Sequence, residues 1–261
     1  MPLLETQGVN VHFGGHHAVR DVDLQVEAGR ITGLIGPNGA GKTTTFNVIT
    51  GLQETTGGKV VLDGRDISRL KPHQRARLGI ARTFQRLEVF GSMTARENIL
   101  TAAEFRRRWA HDKSDPQKVT EEIIDRIGIR GVSSDRVDAM PTGQARLVEL
   151  GRALATRPRV LLLDEPASGQ DEAETEAFAG LLLDLANDGM AILMVEHDVA
   201  LVMRVCTWIH VLDFGAILAV GTAEQIQSNQ AVLDAYLGAA AEDSSLVQAE
   251  LAAHPEAAST K

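Results

Sequence analysis

One nine-residue stretch constrains this chain more than any other: Gly36-Pro37-Asn38-Gly39-Ala40-Gly41-Lys42-Thr43-Thr44. It satisfies the pattern G-x-x-x-x-G-K-[ST]. The run before it, Ile31 to Ile35, is apolar and reads as a buried strand. The run after it, Thr44 to Gly51, reads as a helix ended by glycine. Strand, glycine-rich loop and helix N-terminus together form a phosphate-binding context. Three glycines let the backbone curl so that successive N–H groups converge on an anion. The helix N-terminus adds unpaired N–H groups and partial positive charge. Lys42 is spaced to reach β- and γ-phosphates, and the Thr43 hydroxyl to ligate Mg²⁺.

The remaining pattern fits a sheet covered on both faces. Val9 to Phe13, Val22 to Val26 and Lys59 to Leu62 read as strands between glycine turns. From Pro72 to about Arg157 the pattern is mostly helical. Val119, Ile123, Ile124 and Ile127 mark one helix face there, and Gly128 ends it. Short apolar strands then return at Val160 to Leu163, Ala191 to Val195, Ile209 to Leu212 and Ala216 to Val220. Near-continuous apolar strands alternating with helices predict an α/β fold with a parallel sheet, and the helical block reads as an inserted subdomain. The last 23 residues, 239–261, are alanine-rich with scattered Glu, Ser and Pro, and read as a disordered tail.

Composition narrows the function. The 261 residues carry 26 basic and 35 acidic side chains, a formal charge of -9, which argues against nucleic acid as partner. The single cysteine, Cys206, excludes an internal disulfide and reads as a core thiol. No apolar run approaches the ~18 residues of a membrane span, and no signal peptide is visible, so any membrane role is expected to run through a partner.

A second constellation handles phosphate chemistry. Val160 to Leu163 lead into Asp164-Glu165. In P-loop ATPases an acid at such a strand end holds Mg²⁺, and a neighbouring acid can accept the proton of the attacking water. Asp164 suits the first role and Glu165 the second. Val195-Glu196-His197-Asp198 closes another strand, where His197 can bond a γ-phosphate. Gln85, at the end of a candidate strand in Arg82-Thr83-Phe84-Gln85, is placed to contact metal and to transmit movement.

Across about residues 3 to 238 the chain resembles an ATP-binding subunit of an ABC transporter, a P-loop NTPase with a strand-rich N-terminal part and an inserted helical subdomain. The resemblance implies an ATP-binding core from 1–85 and 158–238, with the helical subdomain at 86–157. Phe13 resembles the aromatic that stacks on adenine, Gly36 to Thr44 the Walker A loop, Gln85 the Q-loop glutamine, Asp164 and Glu165 the Walker B pair, and His197 the switch histidine. Ser168-Gly169-Gln170-Asp171 stands at the D-loop. The signature loop falls on Met140-Pro141-Thr142-Gly143-Gln144, followed by a helix from Ala145 to Ala155. The family pattern there is Leu-Ser-Gly-Gly-Gln, so only Gly143 and Gln144 agree. Pro141 offers neither a hydroxyl nor an N–H, which leaves Thr142 and the Gly143 N–H to contact phosphate.

Within the superfamily the chain is most similar to an ATPase of branched-chain amino acid importers, on His12-Phe13-Gly14-Gly15, Arg82 to Gln85, Val195 to Asp198 and Ala235-Tyr236-Leu237-Gly238. Urea or amide importers and a lipopolysaccharide-export ATPase share much of this pattern. The resemblance implies ATP and Mg²⁺ as ligands, transmembrane permeases and a second ATPase, same or different, as partners, an external substrate-binding protein acting indirectly, and a peripheral position on the cytoplasmic face of the inner membrane. A permease helix is expected to dock near Leu87, Val89, Phe90 and Met93. Readings of another class, a soluble non-transport ABC ATPase or a nucleotide-binding regulator, stay open.

Overall fold

The computed structural model describes residues 2–111 and 113–242. The chain begins with β1 (Leu4–Phe13), β2 (His16–Val26), β3 (Ile31–Ile35) and α1 (Lys42–Thr50). It continues through β4 (Gly57–Leu62), β5 (Arg65–Asp66), α2 (Pro72–Arg77) and β6 (Ile80–Arg82). A helical stretch follows: α3 (Ala95–Ala110), α4 (Pro116–Arg126) and α5 (Thr142–Ala155). The return leg is β7 (Val160–Asp164), α6 (Glu172–Asn187), β8 (Ala191–Val195), α7 (Val199–Val205), β9 (Trp208–Asp213), β10 (Ala216–Gly221), α8 (Ala223–Gln227) and α9 (Gln230–Glu242).

These strands form two sheets. One is antiparallel, in the order β2-β1-β4-β5. The other runs β10-β9-β3-β8-β7-β6 and is parallel except for the edge strand β10. The parallel strands read as continuous apolar runs because both faces are buried. Leu161, Leu163, Ile192, Met194, Ile209 and Val211 face α5, α6 and α7. Val160, Leu162, Leu193, Val195 and Leu212 face the other way, toward α1 and the antiparallel sheet. Phe46 of α1 is fully buried in that second layer.

Several boundaries differ from the sequence expectation. β1 and β2 begin earlier, at Leu4 and His16, because their alternating polar residues lie on the open face. α5 starts at Thr142 rather than Ala145, with Pro141 at its N-cap (φ -56°) and no side-chain cap. β6 ends at Arg82, so Gln85 is not a strand end. The expected tail begins inside α9, where the alanines at 239–241 continue the helix to Glu242. Its remainder lies outside the described residues. Among the described residues no helix is long and apolar enough to cross a membrane.

Candidate functional site

β3 delivers a rigid, wholly buried strand end to the glycine-rich loop. The loop turns through Gly36 (φ 148°), Gly39 (φ 79°) and Gly41 (φ 103°) into α1. Gly36 has no room for a side chain: a Cβ there would lie 1.9 Å from the Leu212 carbonyl oxygen. The β9–β10 turn clasps the loop from outside, with the Gly215 N–H donating to the Ala40 carbonyl at 3.0 Å. The Tyr236 hydroxyl of α9 bonds the Gly36 backbone. Burial raises its pKa, and that bond counters part of the rise. Gly41 caps α1 without a side chain, so the first-turn N–H groups of α1 are left for another acceptor.

Lys42 opens α1 and is buried. Its Nζ donates to the Gly36 carbonyl at 2.6 Å and to the Pro37 carbonyl at 2.9 Å. Burial holds its pKa below the ordinary lysine value, while the carboxylates of Glu165 and Asp164 push the other way. Pro37 and Thr44 are half-buried; Asn38, Gly39 and Thr43 are exposed on the same turn, and Ala40 is buried beneath it. A buried cation at the uncapped start of α1, with no space for side chains at Gly36 and Gly41, fits a phosphate chain.

β7 ends on Asp164, which is 2 % exposed. Its Oδ2 accepts from Arg82 at 2.7 Å. The same guanidinium donates to Asn47 Oδ1 at 2.6 Å and lies over the rings of Phe46 and Phe84. Asn47 carries no signal in the sequence, and Arg82 stands out there only as part of the stretch Arg82 to Gln85, with no role of its own. Only the pairing of β6 with β7 brings Arg82 alongside the acid.

Glu165 leaves the strand with φ 50°, a left-handed conformation unusual for glutamate, and its N–H donates to Val195 at 2.8 Å. The turn aims the carboxylate at two other segments. Glu165 Oε1 lies 2.8 Å from His197 Nε2, and Gln85 Nε2 donates to both carboxylate oxygens at 3.3 Å. Gln85, Glu165 and His197, far apart in sequence, therefore meet at one point.

Glu196 is a further residue that spacing did not expose. It is 5 % exposed, with Oε1 accepting from the Ala167 N–H at 2.7 Å and Oε2 from the His197 N–H at 3.1 Å. Burial pushes its pKa up to about 7 against those bonds. It ties the segment after Glu165 to the histidine strand end. Its only signal in sequence is an acid inside Val195-Glu196-His197-Asp198, where nothing announces burial.

Thr142, Gly143 and Gln144 form the first turn of α5 and pack against the segment after β7. A Cβ on Gly143 would meet the Glu174 carboxylate at 2.7 Å, and one on Gly169 would meet Thr142 Cγ2 at 3.4 Å. Phe13 closes β1 beside the Gly14-Gly15 turn and is 49 % exposed. The neighbouring rings of His12 and His17 stack at 3.8 Å. Cys206 is buried, and burial pushes its thiol up to about 12, so it is unsuited to nucleophilic chemistry.

Residues 19–168 match the family described as ABC transporter, and residues 216–242 match the branched-chain amino acid ATP-binding cassette transporter family. The chain is 39% identical over 256 residues to the high-affinity branched-chain amino acid transport ATP-binding protein BraF of Pseudomonas aeruginosa, covering 92% of this chain and 99% of that protein. LivG of Escherichia coli, of the same description, is 38% identical with the same coverage. The crystal structure of the ADP conformation of MJ1267, an ATP-binding cassette of an ABC transporter, superposes with a TM-score of 0.80 at 29% identity, covering 91% of this chain and 99% of that one. A glycine loop carried from β3 into α1, in a chain alike to these cassettes over nine-tenths of its length, settles its kinship: it belongs to the ABC transporter family, as an ATP-binding subunit.

Proposed function

We propose that this chain is the ATP-hydrolysing motor subunit of a membrane importer for amino acids of the branched-chain type. The observation that carries the reading is the convergence of Gln85, Glu165 and His197 beside the Lys42 loop. Gly36 to Thr44 bind the phosphates, with Phe13 stacking on the adenine. Thr43, Gln85 and Asp164 would hold Mg²⁺, which when bound offsets phosphate charge. Lys42 stabilises the phosphoryl oxygens. Glu165 orients water and takes its proton, and His197, bonded to Glu165, holds that carboxylate in place and bonds the γ-phosphate. The core at 1–85 and 158–238 and the helical subdomain at 86–157 act as the two moving parts.

Thr142, Gly143 and Gln144 act on nucleotide held by a second ATPase, the same chain or another, packed head to tail. That partner, two transmembrane permeases and, indirectly, an external substrate-binding protein complete the importer, which places this chain peripherally on the cytoplasmic face of the inner membrane. Leu87 and Val89 are half-buried against the core and keep part of their surface beside Phe90 for the expected permease helix. Phe90, with Phe105, Trp109 and Arg77, lines a cleft of about 560 Å³ suited to an apolar helix.

The test uses tagged Glu165→Gln in native membranes with Mg-ATP. Turnover is expected to fall by roughly 10²- to 10⁴-fold with ATP still bound, and two multi-span permeases and a second ATPase to co-purify. Recovery of this chain alone from the soluble fraction overturns the transporter reading.

A further inference from the structure

The turn between β9 and β10 holds a residue that its backbone disfavours. Asp213 pairs with Ala216, so the hairpin turns through two residues only, Phe214 and Gly215. Both have positive φ, 43° and 82°, the mark of a type I′ turn, whose first position favours Asn, Asp or Gly. The turn between β4 and β5 has the same form, with φ 52° and 73°, and there the chain places Asp63-Gly64. Among the described non-glycine residues with positive φ, the others are Asp21, Asp63, His111, Arg157 and Glu165, all polar. A bulky apolar ring sits poorly in the left-handed region. Burial does not offset that cost, because Phe214 is 80 % exposed. A strained, exposed aromatic points to a contact outside the chain.

The neighbours of the turn indicate which contact. The Gly215 N–H donates to the Ala40 carbonyl of the phosphate loop at 3.0 Å, and the Gly215 carbonyl accepts from the Arg20 N–H of β2 at 2.7 Å. A Cβ on Gly215 would lie 2.8 Å from the Ala18 carbonyl oxygen, and one on Gly41 would lie 2.6 Å from the same oxygen. The β9–β10 turn, the phosphate loop and the start of β2 therefore meet at Ala18. Two residues earlier stands His16, which pairs with Phe13 across the β1–β2 hairpin. Strand order supplies a direction. In the parallel sheet β3 lies between β9 and β8, and β7 follows β8. Glu165 and His197 stand past the ends of β7 and β8, so the reacting phosphate of a nucleotide on the β3 loop faces that side. The rest of the nucleotide leaves the loop toward β9 and the β1–β2 hairpin, where Phe214 and Phe13 are exposed.

We propose that Phe214 is a nucleobase-contact residue, a second apolar wall for the base besides Phe13, and that it makes the site favour purine over pyrimidine nucleotides. A phenyl ring offers a face for stacking and no hydrogen-bond donor or acceptor. It therefore reads the stacking area of a base, which is larger for a two-ring purine, and does not read the groups that separate adenine from guanine. Phe214 acts on nucleotide held by the phosphate loop and Phe13, so its role rests on the functional reading given above and adds a specificity determinant to it.

The experiment is equilibrium binding to the full chain with Mg²⁺ and four probes: ATP, GTP, CTP and inorganic tripolyphosphate, which carries the phosphates without a base. Phe214→Asn suits the turn, so the variant is expected to fold and to melt no lower than the native chain. Its Kd for ATP and for GTP is expected to rise about 5- to 10-fold, its Kd for CTP less than about threefold, and its Kd for tripolyphosphate less than about twofold. Phe214→Trp keeps a ring and should hold the ATP Kd within about twofold of native. Its emission, measured against the native chain with Trp109 and Trp208, should change on adding ATP and not on adding tripolyphosphate. An unchanged ATP Kd in Phe214→Asn overturns the proposal, and loss of an ATP-dependent dimer at that unchanged Kd would assign the ring to a second subunit. Equal weakening of ATP and tripolyphosphate also overturns it, since the turn would then only shape the phosphate loop through Ala40. Equal weakening of ATP and CTP overturns the purine preference. A native chain that binds neither ATP nor tripolyphosphate overturns the functional reading, and the role of Phe214 with it.

Discussion

His210 permits a stability prediction whose sign and size both come from its surroundings. It lies on β9, opposite Leu34 of β3, and is 4 % exposed. Among the described residues neither ring nitrogen has a hydrogen-bond partner. Burial therefore disfavours the imidazolium and pushes the pKa from 6.5 down to about 4. Between those values the unfolded chain binds the proton and the folded one does not. The native state is thus penalised progressively as pH falls from 6.5 toward 4, and not at all above it. At 1.36 kcal/mol per pKa unit the penalty is about 1 kcal/mol at pH 6 and about 2 kcal/mol at pH 5. Urea unfolding of the native chain and His210→Leu, side by side from pH 7.5 to pH 5, measures it. The paired comparison is needed because Glu196 works in the opposite sense. Its folded pKa of about 7 exceeds the ordinary 4.5, so its contribution is greatest in acid and is lost as pH rises through that window. The stability of His210→Leu relative to native should grow by about 2 kcal/mol across the range. A difference that stays flat within about 0.5 kcal/mol refutes the buried, neutral imidazole. The consequence reaches the site, because β9 pairs with the strand that carries the phosphate loop.

Three other outcomes follow from particular contacts. Gly36→Ala forces a Cβ against the Leu212 carbonyl, and ATP affinity, read with a fluorescent analogue, should drop about 10-fold or more. Arg75 is 3 % exposed and donates to the Ile49, Ser68 and Leu70 carbonyls at 2.7 to 2.9 Å, closing the C-terminal end of α1. Arg75→Leu should cost about 2–4 kcal/mol in urea unfolding, and an unchanged midpoint would remove it from that role. Thr142→Val takes away the one hydroxyl near the start of the signature turn and should slow hydrolysis about 3- to 10-fold, with an unchanged rate ruling the hydroxyl out.

The phosphate loop was legible because its chemistry is local. Gly36 to Thr44 act through consecutive backbone atoms, and the strand before and helix after them carry their own apolar patterns. Asp164, Glu165 and His197 were legible for a related reason: a parallel sheet places its functional residues just past strand ends, and apolar runs mark those ends. The sheet's two-faced burial could also be read from Val160 to Leu163 and Ala191 to Val195. Contacts between distant segments could not. Nothing in the spacing of Arg82 shows that it lies beside Asp164, since β6 and β7 are separated by the whole helical stretch. Glu196, Arg146 and Glu149, all buried, look like ordinary surface charges in a row of letters, because burial belongs to the packed molecule and not to the residue. Leu87 and Val89 read as available for docking, and the fold leaves them half-buried. The sequence by itself determined which residues form the glycine loop and the strand ends proposed to meet phosphate. Tertiary structure alone decided what holds those residues in place, because the holding groups come from elements that touch only after the sheet has closed.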